Sequence, residues 1–326
     1  MVCLSLGTSA QEVACALALL VALSIRRLPP ADLLQPLLAV VTLSVVASLG
    51  AGSLREGISV GWALCLVAAL PLLPGDRDQA ARWGVAAAAV AGTGALLWAI
   101  LGGGWPAQGP YSHHLTLGYA LLPPCAVALH RGWRLAALGC AVGVVATVSL
   151  GPALGLVVVL VGVRLSPGVA LLGGAVASLV LLAVLHGEPA VAERAVLWAS
   201  GAELLVDNPI GVGPGADRAA LSLSQQRLLP GFHFPLHAHD AALQRGAEVG
   251  WAGWLVWAWL LSALWKRATP GGRAGIAAVV VGGLTQDTLG DLEVCRSVCA
   301  WALLCEPVAL CGVGREDDTK SVILEA

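Results

Sequence analysis

Hydrophobic and polar positions fall in blocks along this chain: apolar runs of fifteen to twenty residues are separated by short clusters of charge, glycine or proline. The runs lie at about 10–25, 31–50, 56–74, 82–101, 114–130, 133–149, 151–165, 168–186, 246–265, 274–290 and 294–313. A hydrocarbon core of about 30 Å takes about 20 helical residues to cross, so apolar runs of this length predict membrane-spanning helices. Eleven spans are expected, with ten or twelve as alternatives because only Gly151-Pro152 divides two of the runs. The predicted fold class is all-α, a polytopic transmembrane helical bundle. Its parts are N-terminal transmembrane helices (1–186), a long loop (187–245), C-terminal transmembrane helices (246–313) and a tail (314–326).

Composition agrees, since a chain of 326 residues that is 58% hydrophobic and 12% charged cannot wrap itself in a polar skin. A net charge of −2, with no run of five like charges, excludes a basic nucleic-acid binder. No Lys or Arg precedes Arg26, so the first run reads as a span and not as a signal peptide. Nine cysteines without a CxxC pair read as small buried thiols, not as a disulfide framework or a zinc site.

The basic residues orient the bundle. Alternate loops and the tail collect Arg26, Arg27, Arg77, Arg82, Arg131, Arg134, Arg164, Lys266, Arg267, Arg273, Arg315 and Lys320, against Arg55, Arg194, Arg218, Arg227, Arg245 and Arg296 on the other side. Twelve against six predicts an external N-terminus, a cytoplasmic C-terminus and an external 187–245 loop. That loop holds ten acidic and basic residues in a chain that otherwise avoids them. Loops this long are functional or disordered, and the helix-like stretch Ala192 to Val206, stopped by Asn208-Pro209, argues for order. Six of the seven histidines, His113, His114, His186, His233, His237 and His239, fall on or near the same side.

Four stretches offer chemistry. His237-Ala238-His239-Asp240 precedes a helix that enters the membrane; a histidine there can take a proton from a hydroxyl, and the adjacent carboxylate can fix its tautomer. The same HxH is a metal-ligand spacing or a solvated turn. Arg194 suits a phosphate or pyrophosphate, or else pairs with Glu193 or Glu188; Arg218, Arg227 and Arg245 are weaker versions of it. In Asn208-Pro209-Ile210-Gly211-Val212-Gly213-Pro214-Gly215, Gly211 and Gly213 could bring backbone N–H groups to an anion, or simply form a tight turn. His113 and His114 sit with Thr116 where a span begins. The Trp251, Trp254, Trp257 and Trp259 group reads as interfacial belt and packing more than as a sugar platform.

Taken in order, Glu193-Arg194 with Trp198, the Pro209 to Gly215 turn, His237-Ala238-His239-Asp240, Leu243-Gln244 and Ala247-Glu248-Val249-Gly250-Trp251-Ala252-Gly253 resemble the O-antigen ligase and O-antigen polymerase family. There the run reads ER, W, PxxGvGpG, HxHN, LQ and aExGxxG, and Gly109 to Gly118 also looks like that family's start of a span. The likeness covers about 109–265, nearly half the chain. It implies a membrane glycosyltransferase of the GT-C type, inverting and metal-independent with no cofactor, in the bacterial inner membrane with its active loop on the periplasmic side. The implied substrates are an undecaprenyl-diphosphate-linked glycan and lipid A-core or another glycan acceptor, in lipopolysaccharide biosynthesis of the cell envelope.

Carried over by position, His239 is the catalytic histidine that orients or deprotonates the acceptor hydroxyl, and Arg194 offsets charge on the leaving diphosphate. His237, Asp240, Arg218, Arg245, Gly211, Gly213, His113 and His114 are the expected substrate-binding set. Three departures stand out. Leu150 occupies the place of an arginine in the family's T-x-S-R-G element; Asp240 stands where asparagine is usual and would raise the His239 pKa; and eleven spans suggest an absent N-terminal helix. A polymerase or a protein O-oligosaccharyltransferase breaks the same bond. A non-catalytic transporter or scaffold is the rival of another class, although the charges gather in loops and at span ends and not mid-span as a carrier requires.

Overall fold

The computed structural model describes residues 30–50, 52, 58, 76–103, 105–107, 113–184, 189–214, 216–228, 238–286, 288 and 292–304. They form α1 (Ala31–Gly50), α2 (Arg77–Trp98, continued by a π-helical turn Ala99–Gly103), α3 (His114–His130), α4 (Arg134–Ala146), α5 (Leu150–Arg164), α6 (Pro167–Val184), α7 (Pro189–Asp207), α8 (Asp217–Leu228), α9 (Ala241–Arg267), α10 (Pro270–Gly283) and α11 (Leu292–Leu304). No strand occurs among the described residues. Nine of the predicted apolar runs fall on helices; the run 10–25 lies outside the described residues, and 56–74 is described only at Ile58.

Ala31–Gly50, Arg77–Gly102, Pro167–Val184 and Ala241–Arg267 are long and apolar enough to cross a membrane, while Arg134–Ala146, Leu150–Arg164 and Val294–Leu304 are apolar but shorter. The surface fits lipid. On α6 only Ala170, Gly174 and Ser178 are buried, a stripe of small residues one turn apart, while Leu172, Leu179, Val180 and Val184 stand exposed. In water that exposure would be costly, whereas lipid accepts it and close packing through small residues holds the helix on the bundle. This is a membrane protein.

The centre of the bundle is α3, buried from Thr116 through Ala128. It packs on α2, α4, α5, α10 and α11. Pro123 and Pro124 lie inside it without ending it. The face that α10 turns to α3 is built from glycine: a Cβ on Gly275 would come within 2.9 Å of the Pro123 Cα, and one on Gly282 within 2.2 Å of the Tyr119 ring. A Cβ on Gly271 would meet His130 at 2.7 Å, so α10 runs antiparallel to α3 at close range.

Two helix boundaries differ from the hydropathy reading. The run 274–290 is really Pro270–Gly283: Thr269 caps the start, accepting from the Gly272 amide at 3.4 Å, and proline is tolerated in the first turn. Thr285 and Gln286 therefore lie in a turn beyond the helix. The span expected from 246 begins at Ala241, capped by Asp240, because polar Gln244, Arg245 and Glu248 are buried and not solvated. The long loop contains two helices, α7 and α8, packed on each other, with α7 also against α9.

The antiparallel order sorts the charges. One end of the bundle gathers Arg77, Arg82, Arg131, Arg134, Arg164, Lys266, Arg267 and Arg273 at helix ends. Arg131 reaches Asp78 at 3.1 Å there, and Arg267 donates to both oxygens of Asp32 at 3.0 and 2.6 Å. The starts of α3, α5 and α9, the ends of α6 and α10, and the α7–α8 pair meet at the other end.

Candidate functional site

The site is built from α7 outward. Leu197, Ser200, Gly201, Leu204 and Leu205 recur at helical spacing and are buried, so one face of α7 lies against the start of α9. A Cβ on Gly201 would meet Ala238 at 3.0 Å and Leu243 at 3.2 Å, and the Leu205 side chain fills the space over Gly246. Arg194 lies one turn before Leu197 and Trp198 on the same helix. The Trp198 indole N–H donates to the His239 carbonyl at 3.3 Å. The same helix thus carries the arginine and anchors the histidine.

His239 occupies the left-handed region at φ 52°, where few non-glycine residues sit, at a cost of roughly 1–3 kcal/mol. Hydrogen bonds on both sides enforce it. The preceding Ala238 amide donates to Gln244 Oε1 at 2.8 Å, and the following Asp240 is the N-cap of α9, its Oδ1 accepting from the Leu243 amide at 2.8 Å. The ring Nδ1 lies 2.9 Å from Gln286 Oε1. Asp240 caps its own helix, and Gln286 is a residue that meets the ring nitrogen.

Beside this pair lies a cleft of about 260 Å³ lined by His114, Leu115, Tyr119, Ser149, Leu150, Gly151, Leu154, Ser178, Leu181, Leu182, Val191, Arg194, Thr285 and Gln286. Its lining is chemically mixed. Arg194, His114, Ser149, Thr285 and Gln286 supply cation, imidazole, hydroxyl and amide, while Leu150, Leu154, Leu181 and Leu182 from α5 and α6 supply apolar surface. Of the expected site residues, Arg194 and His114 line the cleft; His239 joins it through Gln286. His113 sits just outside as the N-cap of α3, its Nδ1 accepting from the Leu115 amide at 3.2 Å, with its ring 4.2 Å from that of His114.

Other candidates have structural employment. The amides of Val212 and Gly213, which the sequence offered to an anion, donate to the carbonyls of Ala247 and Glu248 at 2.9 and 2.8 Å, and the Gly211 amide donates to Asn208 at 2.8 Å. The Trp251 amide returns a bond to the Pro209 carbonyl at 3.1 Å. Those partners are open because α9 breaks at Gly250, φ 70° and ψ −168°. Gly211, at φ 80°, sits on the break; a Cβ there would lie 2.4 Å from the Glu248 oxygen. The glycine-rich turn is a splice onto a broken helix.

Arg245 likewise leaves the anion-binding set, being buried and paired with Glu248. The Gln244 Nε2 donates to Asp217 at 2.6 Å and to Glu248 at 2.9 Å, so cation, amide and two carboxylates close on one another between α8 and α9. Arg227 pairs with Glu203 at 3.6 Å. Arg218 belongs to the first turn of α8, its side chain outside the described residues, as is His237. Among the described residues no three His, Cys, Asp or Glu side chains cluster as a metal site.

Sequence reading missed Gln286 and Thr285, which it took for the end of a span. Two polar side chains next to the Gly282-Gly283 pair were the available signal. Searches against protein-family models and against curated proteins found no match for the chain.

Proposed function

We propose that the protein is an O-antigen ligase-like membrane glycosyltransferase. It moves a polysaccharide from undecaprenyl diphosphate to lipid A-core, with inversion, at the periplasmic face of the bacterial inner membrane. The observation that carries this reading is the mixed lining of the cleft: one guanidinium and a set of hydrogen-bonding groups share it with leucines from α5 and α6. That mixture matches a lipid whose head is anionic and whose tail belongs in the bilayer. The motif order that resembles the family supports it, as does the cationic end of the bundle opposite the cleft, which fits a cytoplasmic side.

The chemistry follows from the side chains. The acceptor hydroxyl gives its proton to the His239 imidazole while its oxygen attacks the anomeric carbon. The anomeric C–O bond breaks on the opposite face, and the electron pair leaves with the diphosphate, whose growing charge Arg194 offsets.

The test uses purified protein in lipid with labelled undecaprenyl-diphosphate glycan and lipid A-core. Transfer to lipid A-core that is lost in both His239→Ala and Arg194→Ala supports the reading. Extension of the donor glycan in place of transfer assigns a polymerase. Leu150 in the cleft wall favours the non-catalytic alternative, in which the donor is bound and recovered intact from all three samples.

A further inference from the structure

We infer that Gln286 is the positioning residue that holds the His239 ring as the Nδ1–H tautomer, leaving Nε2 as its basic nitrogen. This rests on the functional reading above and deepens it. A carboxamide oxygen has no proton to donate, so the 2.9 Å contact between Gln286 Oε1 and His239 Nδ1 requires the ring to donate. The His239 backbone is pinned by the Trp198 indole and by the hydrogen bonds of Ala238 and Asp240, and Gln286 meets the ring itself.

The choice of an amide has a chemical consequence. A carboxylate on Nδ1 stabilises the imidazolium and makes the neutral base scarcer near neutral pH; an amide orients the ring without adding charge. Among the described residues, other ionisable groups near the pair are Arg194, His114 and Tyr119 on the cleft wall and the Asp240 carboxylate on the cap. During transfer Nδ1–H would stay donated to Gln286, whose amide oxygen is too weakly basic to take the proton.

The test reads the tautomer first and turnover second. In protein carrying ¹⁵N-labelled histidine, with the His239 signals assigned by their loss in His239→Ala, the native chain is expected in the Nδ1–H form. Gln286→Leu is expected to shift the ring toward Nε2–H and to lower kcat about 10–100-fold at unchanged donor KM. Gln286→Glu keeps the shape and is expected to raise the His239 titration midpoint and move the acid limb of the pH–rate profile upward. A native Nε2–H ring, a tautomer unchanged in Gln286→Leu, or an unmoved midpoint in Gln286→Glu overturns the assignment. The tautomer is read without any glycan, so a chain that transfers nothing yet shows the Nδ1–H form overturns the functional reading alone.

Discussion

Two arginines of the same polar stretch, Arg194 and Arg245, came to opposite ends. Arg245 is buried and paired with Glu248, while Gln244 donates to Glu248 and to Asp217 across the α8–α9 contact. Arg194 is half-buried on the wall of an amphipathic cleft, with imidazole, hydroxyl and amide groups around the same volume. The first arrangement fastens the loop to the bundle; the second faces space that a ligand can fill. A charge in a membrane protein's long loop is therefore not a functional residue by type alone, because the counter-charge it meets decides its role.

The widest separation between the two is expected in Arg245→Ala. Removing one partner leaves Glu248 buried and uncompensated, at a cost of about 3–5 kcal/mol, while Arg194→Ala should cost under about 1 kcal/mol in stability. Unfolding midpoints of both variants in the same detergent would check this, and equal losses would erase the distinction. The splice beneath the fastened region comes next. A Cβ at Gly250 would lie 2.2 Å from the Pro209 oxygen at a φ of 70°, so Gly250→Ala should destabilise by roughly 2–4 kcal/mol and expose the 209–213 turn to protease.

A smaller effect belongs to the open site. Leu150→Arg places a second guanidinium in the cleft and should tighten binding of undecaprenyl diphosphate by about 1–3 kcal/mol, roughly 5- to 150-fold, in a direct titration. No gain would mean that the head group sits elsewhere. Smallest of all, Asp240→Ala removes an N-cap and should cost about 1 kcal/mol of stability. A much larger change in the pH dependence of turnover than in stability would return Asp240 to the histidine.

Hydropathy already drew most of the architecture, because apolar length is a property of the chain and not of its neighbours. It misjudged boundaries where capping residues intervene, as at Thr269-Pro270 and at Asp240. It also treated α3 and α6 alike, although one is buried nearly all round and the other by a stripe of three small residues. In lipid both environments are apolar, so composition alone does not separate core from periphery. The candidate site was legible in part. Arg194, His239 and the histidines at the start of α3 drew attention by type, whereas Gln286 has no distinguishing chemistry until it faces His239 Nδ1. Gly211 and Gly213 drew it for the wrong reason: their pattern shows that backbone approaches closely, without saying whether an anion or a broken helix is what it approaches.

What the sequence determined by itself is the solvent and the class of structure: too few charges for a water-soluble surface and apolar runs of spanning length require a helical membrane protein, since each helix satisfies its own backbone within lipid. The division of labour among polar residues was decided only by tertiary structure. Whether a buried charge is answered by a neighbour or left facing a cleft depends on contacts such as Asp217 with Gln244, 27 positions apart, and His239 with Gln286, 47 apart. No local pattern encodes separations of that size, because they arise from how whole helices pack.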